Sequence, residues 1–117
     1  MRNALPFSRL SPARQFLVRL CQSINYGYVQ DVMVRDREPV VDPPPVVFVD
    51  LKLDSEQLPR DELNNSDFLL CAETIRLMAV LDQINNGRIS RLEVRAGVAR
   101  RIVYQHRISR SGGMSPS

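Results

Sequence analysis

Leu17-Val18-Arg19-Leu20-Cys21-Gln22-Ser23-Ile24-Asn25-Tyr26-Gly27-Tyr28-Val29-Gln30-Asp31-Val32-Met33-Val34-Arg35 aligns without a gap onto Leu77-Met78-Ala79-Val80-Leu81-Asp82-Gln83-Ile84-Asn85-Asn86-Gly87-Arg88-Ile89-Ser90-Arg91-Leu92-Glu93-Val94-Arg95, 60 residues further along the chain. Six of the nineteen pairs are identical: Leu17/Leu77, Ile24/Ile84, Asn25/Asn85, Gly27/Gly87, Val34/Val94 and Arg35/Arg95. Apolar positions stay apolar and the glycine keeps its offset, which is how a duplicated structural unit looks in sequence.

Each unit reads as a helix followed by a β-hairpin. Ser11 can cap free amides and Pro12 loses no needed N–H at the first helical position, so a helix is predicted from Pro12 to Asn25. Phe16, Leu17, Leu20, Cys21 and Ile24 recur at the spacing of one helical face. Gly27 is expected to supply the left-handed conformation that stops it. Tyr28 to Arg35 then reads as a strand in which Val29, Val32 and Val34 break strict alternation by one residue. Ile89, Leu92 and Val94 repeat the irregularity, which predicts a β-bulge near Gln30-Asp31 and near Ser90-Arg91.

The outer strands differ between the copies. Asp36 to Pro39 turns the chain, Asp42-Pro43-Pro44-Pro45 is stiff and poor in amide donors, and Val46 to Leu53 is the returning strand. In the second copy Ala96-Gly97 is a short turn and Val98 to Ile108 a longer strand, with Ile102, Tyr104, His106 and Ile108 on one face. A second helix is predicted from Asn65 or Ser66 to about Asn85. It is apolar around much of its circumference, so it must be covered on more than one side.

These elements predict an α+β fold of order αββ-αββ, an antiparallel sheet with two helices on one face. A flexible N-terminus is expected over 1–10, two repeats over 11–53 and 65–108 joined by a linker at 54–64, and a disordered tail over 109–117. The 117 residues suffice for one domain that needs no disulfide or metal. No long apolar run opens the chain, which argues against a secretory signal or a membrane span and predicts a cytoplasmic protein.

The unit also resembles a family of very short bacterial proteins of YezD type, which carry a similar helix followed by an Ile-x-Tyr-Gly-x-Val stretch. Here the matching stretch is Ile24-Asn25-Tyr26-Gly27-Tyr28-Val29, with Asn86 in place of the tyrosine in copy two and Asp36-Arg37 in place of an Asp-Gly turn. The resemblance covers about 20 residues per copy and carries over no functional residue.

Chemistry-bearing residues are few. Cys21 and Cys71 sit in apolar patterns and read as buried thiols; with His106 they make three soft ligands, one short of a zinc site. No cofactor is expected. An enzyme would have to use His106 with Cys71, or Asp61, Glu62 and Asp67, none of them in a recognisable catalytic setting, so a non-enzymatic protein is predicted.

Charge is uneven. Fifteen arginines accompany one lysine, Lys52, a bias that points to a GC-rich bacterial genome. Asp42 to Glu73 holds eight acids against Lys52 and Arg60, whereas Arg88 to Arg110 holds seven arginines against Glu93. Arg88, Arg91, Arg95, Arg100, Arg101, Arg107 and Arg110 could meet phosphates on the wet face of a hairpin, making nucleic acid one candidate partner. The other class is a protein-interaction module, binding itself or a protein partner, with Phe68, Leu69, Ile75 and Met78 of the apolar second helix as its expected association surface. That class is ranked first.

Overall fold

Ser11 starts the first helix as its sequence suggests. In the computed structural model, which describes residues 5–54 and 67–105, its hydroxyl accepts the Arg14 N–H at 3.2 Å and α1 runs Pro12–Ile24. The chain continues through β1 (Tyr26–Arg35), β2 (Glu38–Pro39), β3 (Val46–Val49), α2 (Ala72–Ile84), β4 (Gly87–Arg95) and β5 (Val98–Tyr104). Both helices have 13 residues and both begin and end 60 positions apart.

Asn25 and Asn85, not the glycines, stop the helices. Their φ values are 65° and 58°, and each N–H still donates back into its helix, to Cys21 and Leu81 respectively. Asparagine tolerates this left-handed region better than most residues. Gly27 is needed for another reason: a Cβ there would lie 2.0 Å from the Phe48 carbonyl oxygen of β3.

The central ladder joins the copies. β1 and β4 are antiparallel, with Val29 facing Leu92 and Val32 facing Ile89, and with Gly27 facing Val94 and Val34 facing Gly87. In each couple the second pair is the first with the copies exchanged, so the ladder is self-complementary in the manner of a twofold interface. The turns repeat the exchange: the Arg37 N–H donates to the Asn85 carbonyl at 2.8 Å and the Gly97 N–H to the Asn25 carbonyl at 2.9 Å. Asp36, Arg37, Ala96 and Gly97 all have positive φ, as two-residue hairpin turns of matching twist require.

The irregular alternation is a bulge. Across β4 and β5, Ile89 faces Tyr104 but Arg91 faces Val103, leaving Ser90 as the extra residue; in β1, Asp31 turns to a φ of 58°. With that adjustment Val29, Val32 and Val34 share a face with Ile89, Leu92 and Val94. Leu17, Cys21, Leu77, Met78 and Leu81 of the two helices cover it. The sheet is antiparallel, curled, and ordered β2-β1-β4-β5, with β3 also on the outer side of β1. Both helices lie on one face.

The second helix begins at Ala72, later than the apolar pattern indicates. Phe68, Leu69 and Leu70 run extended against the N-terminal segment: Phe7 N–H donates to the Phe68 carbonyl at 2.7 Å and Leu70 N–H to the Leu5 carbonyl at 2.9 Å. Residues 68 and 70 face inward and Leu69 outward, the period of two proper to extended chain. Phe7 stacks on Phe68 at 4.9 Å with the Arg19 guanidinium 4.4 Å above the Phe7 ring. Within the N-terminal segment 1–10, Leu5 to Leu10 packs on the fold with Phe7 and Leu10 in the core, and residues 1–4 lie outside the described ones. Starting late, α2 buries a single face of Thr74, Leu77, Met78 and Leu81. Most of the linker expected at 54–64 and all of the tail at 109–117 lie outside the described residues.

Candidate functional site

The face of the sheet turned away from the helices carries most of the second hairpin's described arginines. β1 places Tyr26, Tyr28 and Gln30 there, opposite Arg95, Glu93 and Arg91 of β4. Arg101 faces Glu93 across β4 and β5. Phe48 of β3 faces Tyr28, and the two rings stack at 4.7 Å with planes 13° apart. The Arg91 guanidinium lies 3.9 Å from the Tyr28 ring centre on the other side, and its Nε is 3.2 Å from Glu93 Oε2. Guanidinium, phenol and phenyl thus form one three-layer stack that crosses three strands.

The remaining arginines divide. Arg88 lies 3.9 Å from Asp31 on the same open face, and Arg95 ends β4. Arg100 is the extra residue of a second bulge and turns to the helix side, where it meets Glu73 at 3.0 Å. The Glu73 carboxyl is held below the usual glutamate range by its backbone hydrogen bond at the helix start and by the Cys71 side chain. Arg100 and Arg76 add to this. Arg107 and Arg110 lie outside the described residues, as do His106, Asp61 and Glu62.

The four residues named for association do not meet on one surface. Met78 is 4% exposed in the core, Ile75 packs against it, and Phe68 is taken up by Phe7. Only Leu69 is open. Of the cysteines, Cys21 is buried and burial pushes its thiol up to about 12, whereas Cys71 is exposed at the start of α2, 3.3 Å from Thr74 Oγ1. Among the described residues no cluster of three His, Cys, Asp or Glu side chains could hold a metal, and no helix is long and apolar enough to cross a membrane.

A different surface holds the exposed apolar area. Val46, Val47, Phe48, Val49, Leu51 and Leu53 are all open, from 37% exposed at Val47 to 92% at Leu53. β3 pairs with β1 on one side, and no described strand lies on its other side. Its sequence signal was available: three prolines directly before a short apolar strand interrupt the outer strand and favour an edge. Comparison with protein-family models, with curated proteins and with solved structures finds no match.

Proposed function

We propose that this chain is a small, non-enzymatic bacterial interaction module of the cytoplasm that docks an extended partner strand along the free side of β3. The observation that carries the reading is the exposed run from Val46 to Leu53. An edge strand offers unpaired backbone groups to any extended chain, and proteins ordinarily blunt such edges with charge, bulges or covering loops. Here apolar side chains stand on both faces of the edge. Strand addition would satisfy the backbone and cover those side chains in one step.

The reading is tested by changing Val47 and Val49 together to Lys. Both side chains are exposed, so the melting temperature should stay within a few degrees. Binding to an immobilised extended peptide of valine and threonine, measured by surface plasmon resonance, should be lost. Wild-type protein that stays monomeric and ignores the peptide, or a folded double variant that still binds it, would overturn it.

The Arg91, Tyr28 and Phe48 stack favours a second reading, nucleic-acid binding on the open face. Arg88 and Arg101 lie on the same face, and a base could extend the stack on the exposed Phe48. Affinity for single-stranded oligonucleotides should then fall steeply with salt, and Arg88→Ala with Arg101→Ala should flatten that slope by about 1 to 2 units. Absence of binding at low salt removes this reading.

A further inference from the structure

The free edge of β3 carries a self-complementary register, and the partner inferred from it rests on the reading of that edge as the docking surface. The Asp50 N–H donates to the Tyr26 carbonyl at 2.7 Å, continuing the β3 ladder by one residue. Hydrogen-bonding direction alternates along an antiparallel strand, so the backbone groups of Val47, Val49 and Leu51 point away from β1. An identical strand laid there closes a twofold around any residue of that outward set.

One register matches charge as well as backbone. With Leu51 on the axis, Leu51 faces Leu51, Val49 faces Leu53, and Asp50 of each copy faces Lys52 of the other. Leu51 and Val49 then occupy the hydrogen-bonded positions. Asp50 and Lys52 occupy the closer, non-hydrogen-bonded ones, where opposite charges interact best. In an extended 49–53 segment Asp50 and Lys52 share the Phe48 face, and Val49 and Leu51, both exposed, stand on the other. With Val49 on the axis instead, Asp50 would face Phe48 and Lys52 would face Val46, leaving both charges without partners.

We infer that the partner strand is a second copy of this chain, and that two copies form a closed dimer by antiparallel pairing of residues 49–53 about Leu51, each chain leaving the new ladder at the turn of Leu53 and Asp54. The dimer joins the two sheets where each β3 ends, repeating between chains the exchange that β1 and β4 make within one.

Sedimentation velocity on the full chain tests this through charge exchange. Wild-type protein should dimerise, and Asp50→Lys and Lys52→Asp should each weaken self-association about tenfold, because each places two like-charge pairs across the axis. Mixed one to one, the two variants should recover wild-type affinity as a heterodimer. Circular dichroism checks that each variant is folded, and Leu51→Lys, which sets like charges on the axis itself, should give monomer. Three results would overturn the inference: a monomeric wild type, open-ended polymers in place of dimers, or a mixture no tighter than either variant alone. A monomeric wild type that still takes up the valine-threonine peptide overturns the dimer and leaves the docking edge standing; one that ignores the peptide sinks both.

Discussion

The two hairpins share a plan and differ on their outer sides. In the second, β5 accompanies β4 from Val98 to Tyr104 without a break, absorbing one bulge in each strand. In the first, the same place is divided between the two residues of β2 and the four of β3, with Asp42, a cis peptide and Pro43-Pro44-Pro45 between them. Proline offers no N–H to a ladder, so the outer strand leaves β1 after the Val40 N–H meets the Met33 carbonyl and returns only at Gln30. Both outer strands are edges of the sheet, but the second copy's is continuous and the first copy's is interrupted at the prolines. The continuous edge presents Arg100 and Arg101, and the interrupted one presents valines.

The largest expected effect comes from the glycines at matching places. A methyl group on Gly27 would collide with the Phe48 carbonyl at 2.0 Å, and its φ of 155° suits no L side chain. At Gly87 a methyl would meet only Ile84 Cγ2, at 3.1 Å. Gly27→Ala should therefore cost about 2–3 kcal/mol in urea denaturation and Gly87→Ala about 1 kcal/mol or less. Equal costs would mean that β3 does not press on β1, and the contrast between the hairpins would fail.

Turn residues offer a smaller test. Arg37 and Gly97 hold the same place, with φ values of 69° and 78°. Arg37→Gly removes a left-handed strain of about 1 kcal/mol while loosening the unfolded chain, so a net gain of roughly 0.5 kcal/mol is expected. Gly97→Arg should lose roughly 0.5 kcal/mol, since it installs the strain that copy one already carries while stiffening the unfolded chain. Thermal melts of both variants read the difference directly. Two changes of one sign would show that the turns are not equivalent.

Much of this fold is legible in sequence because local signals agree. Ser11-Pro12 and Ile24-Asn25 bound α1, and the broken alternation of Val29, Val32 and Val34 marks the bulge. The start of α2 was not legible. An apolar run such as Phe68-Leu69-Leu70 satisfies helix and strand alike, and its partner Leu5 to Phe7 lies about sixty residues away. Assigning the helix stop to Gly27 failed for a related reason, since the close approach of β3 that requires the glycine is a tertiary fact. The candidate surfaces divide in the same way. Arg91 and Arg101 can be placed on an open face by alternation, but the stack on Tyr28 depends on the register of β3, which sets Phe48 beside it.

The smallest expected effect concerns the arms that precede the helices, where the copies differ by an exchange of polar and aromatic residues. Ser8 in the first arm donates both its N–H and its hydroxyl to Asp67 in the second, each at 2.8 Å. These bonds, the hydroxyl foremost, hold the Asp67 carboxyl below the usual aspartate range. A carboxyl whose pKa is depressed in the folded state stabilises the fold above its unfolded pKa, and that contribution fades as pH falls through the folded value. Acidification should thus loosen the arms first, before the sheet. Ser8→Ala keeps the backbone donor and removes the hydroxyl, so the Asp67 pKa should rise part of the way toward its ordinary range in a carboxyl carbon-13 NMR titration. Amides of Phe7 and Leu70 should exchange faster at low pH in that variant while those of β1 and β4 keep their protection, because the core ladder is bound by other contacts. An Asp67 titration unmoved by the substitution would show that the hydroxyl does not clamp the arms, leaving the Phe7 and Phe68 stack as their fastening.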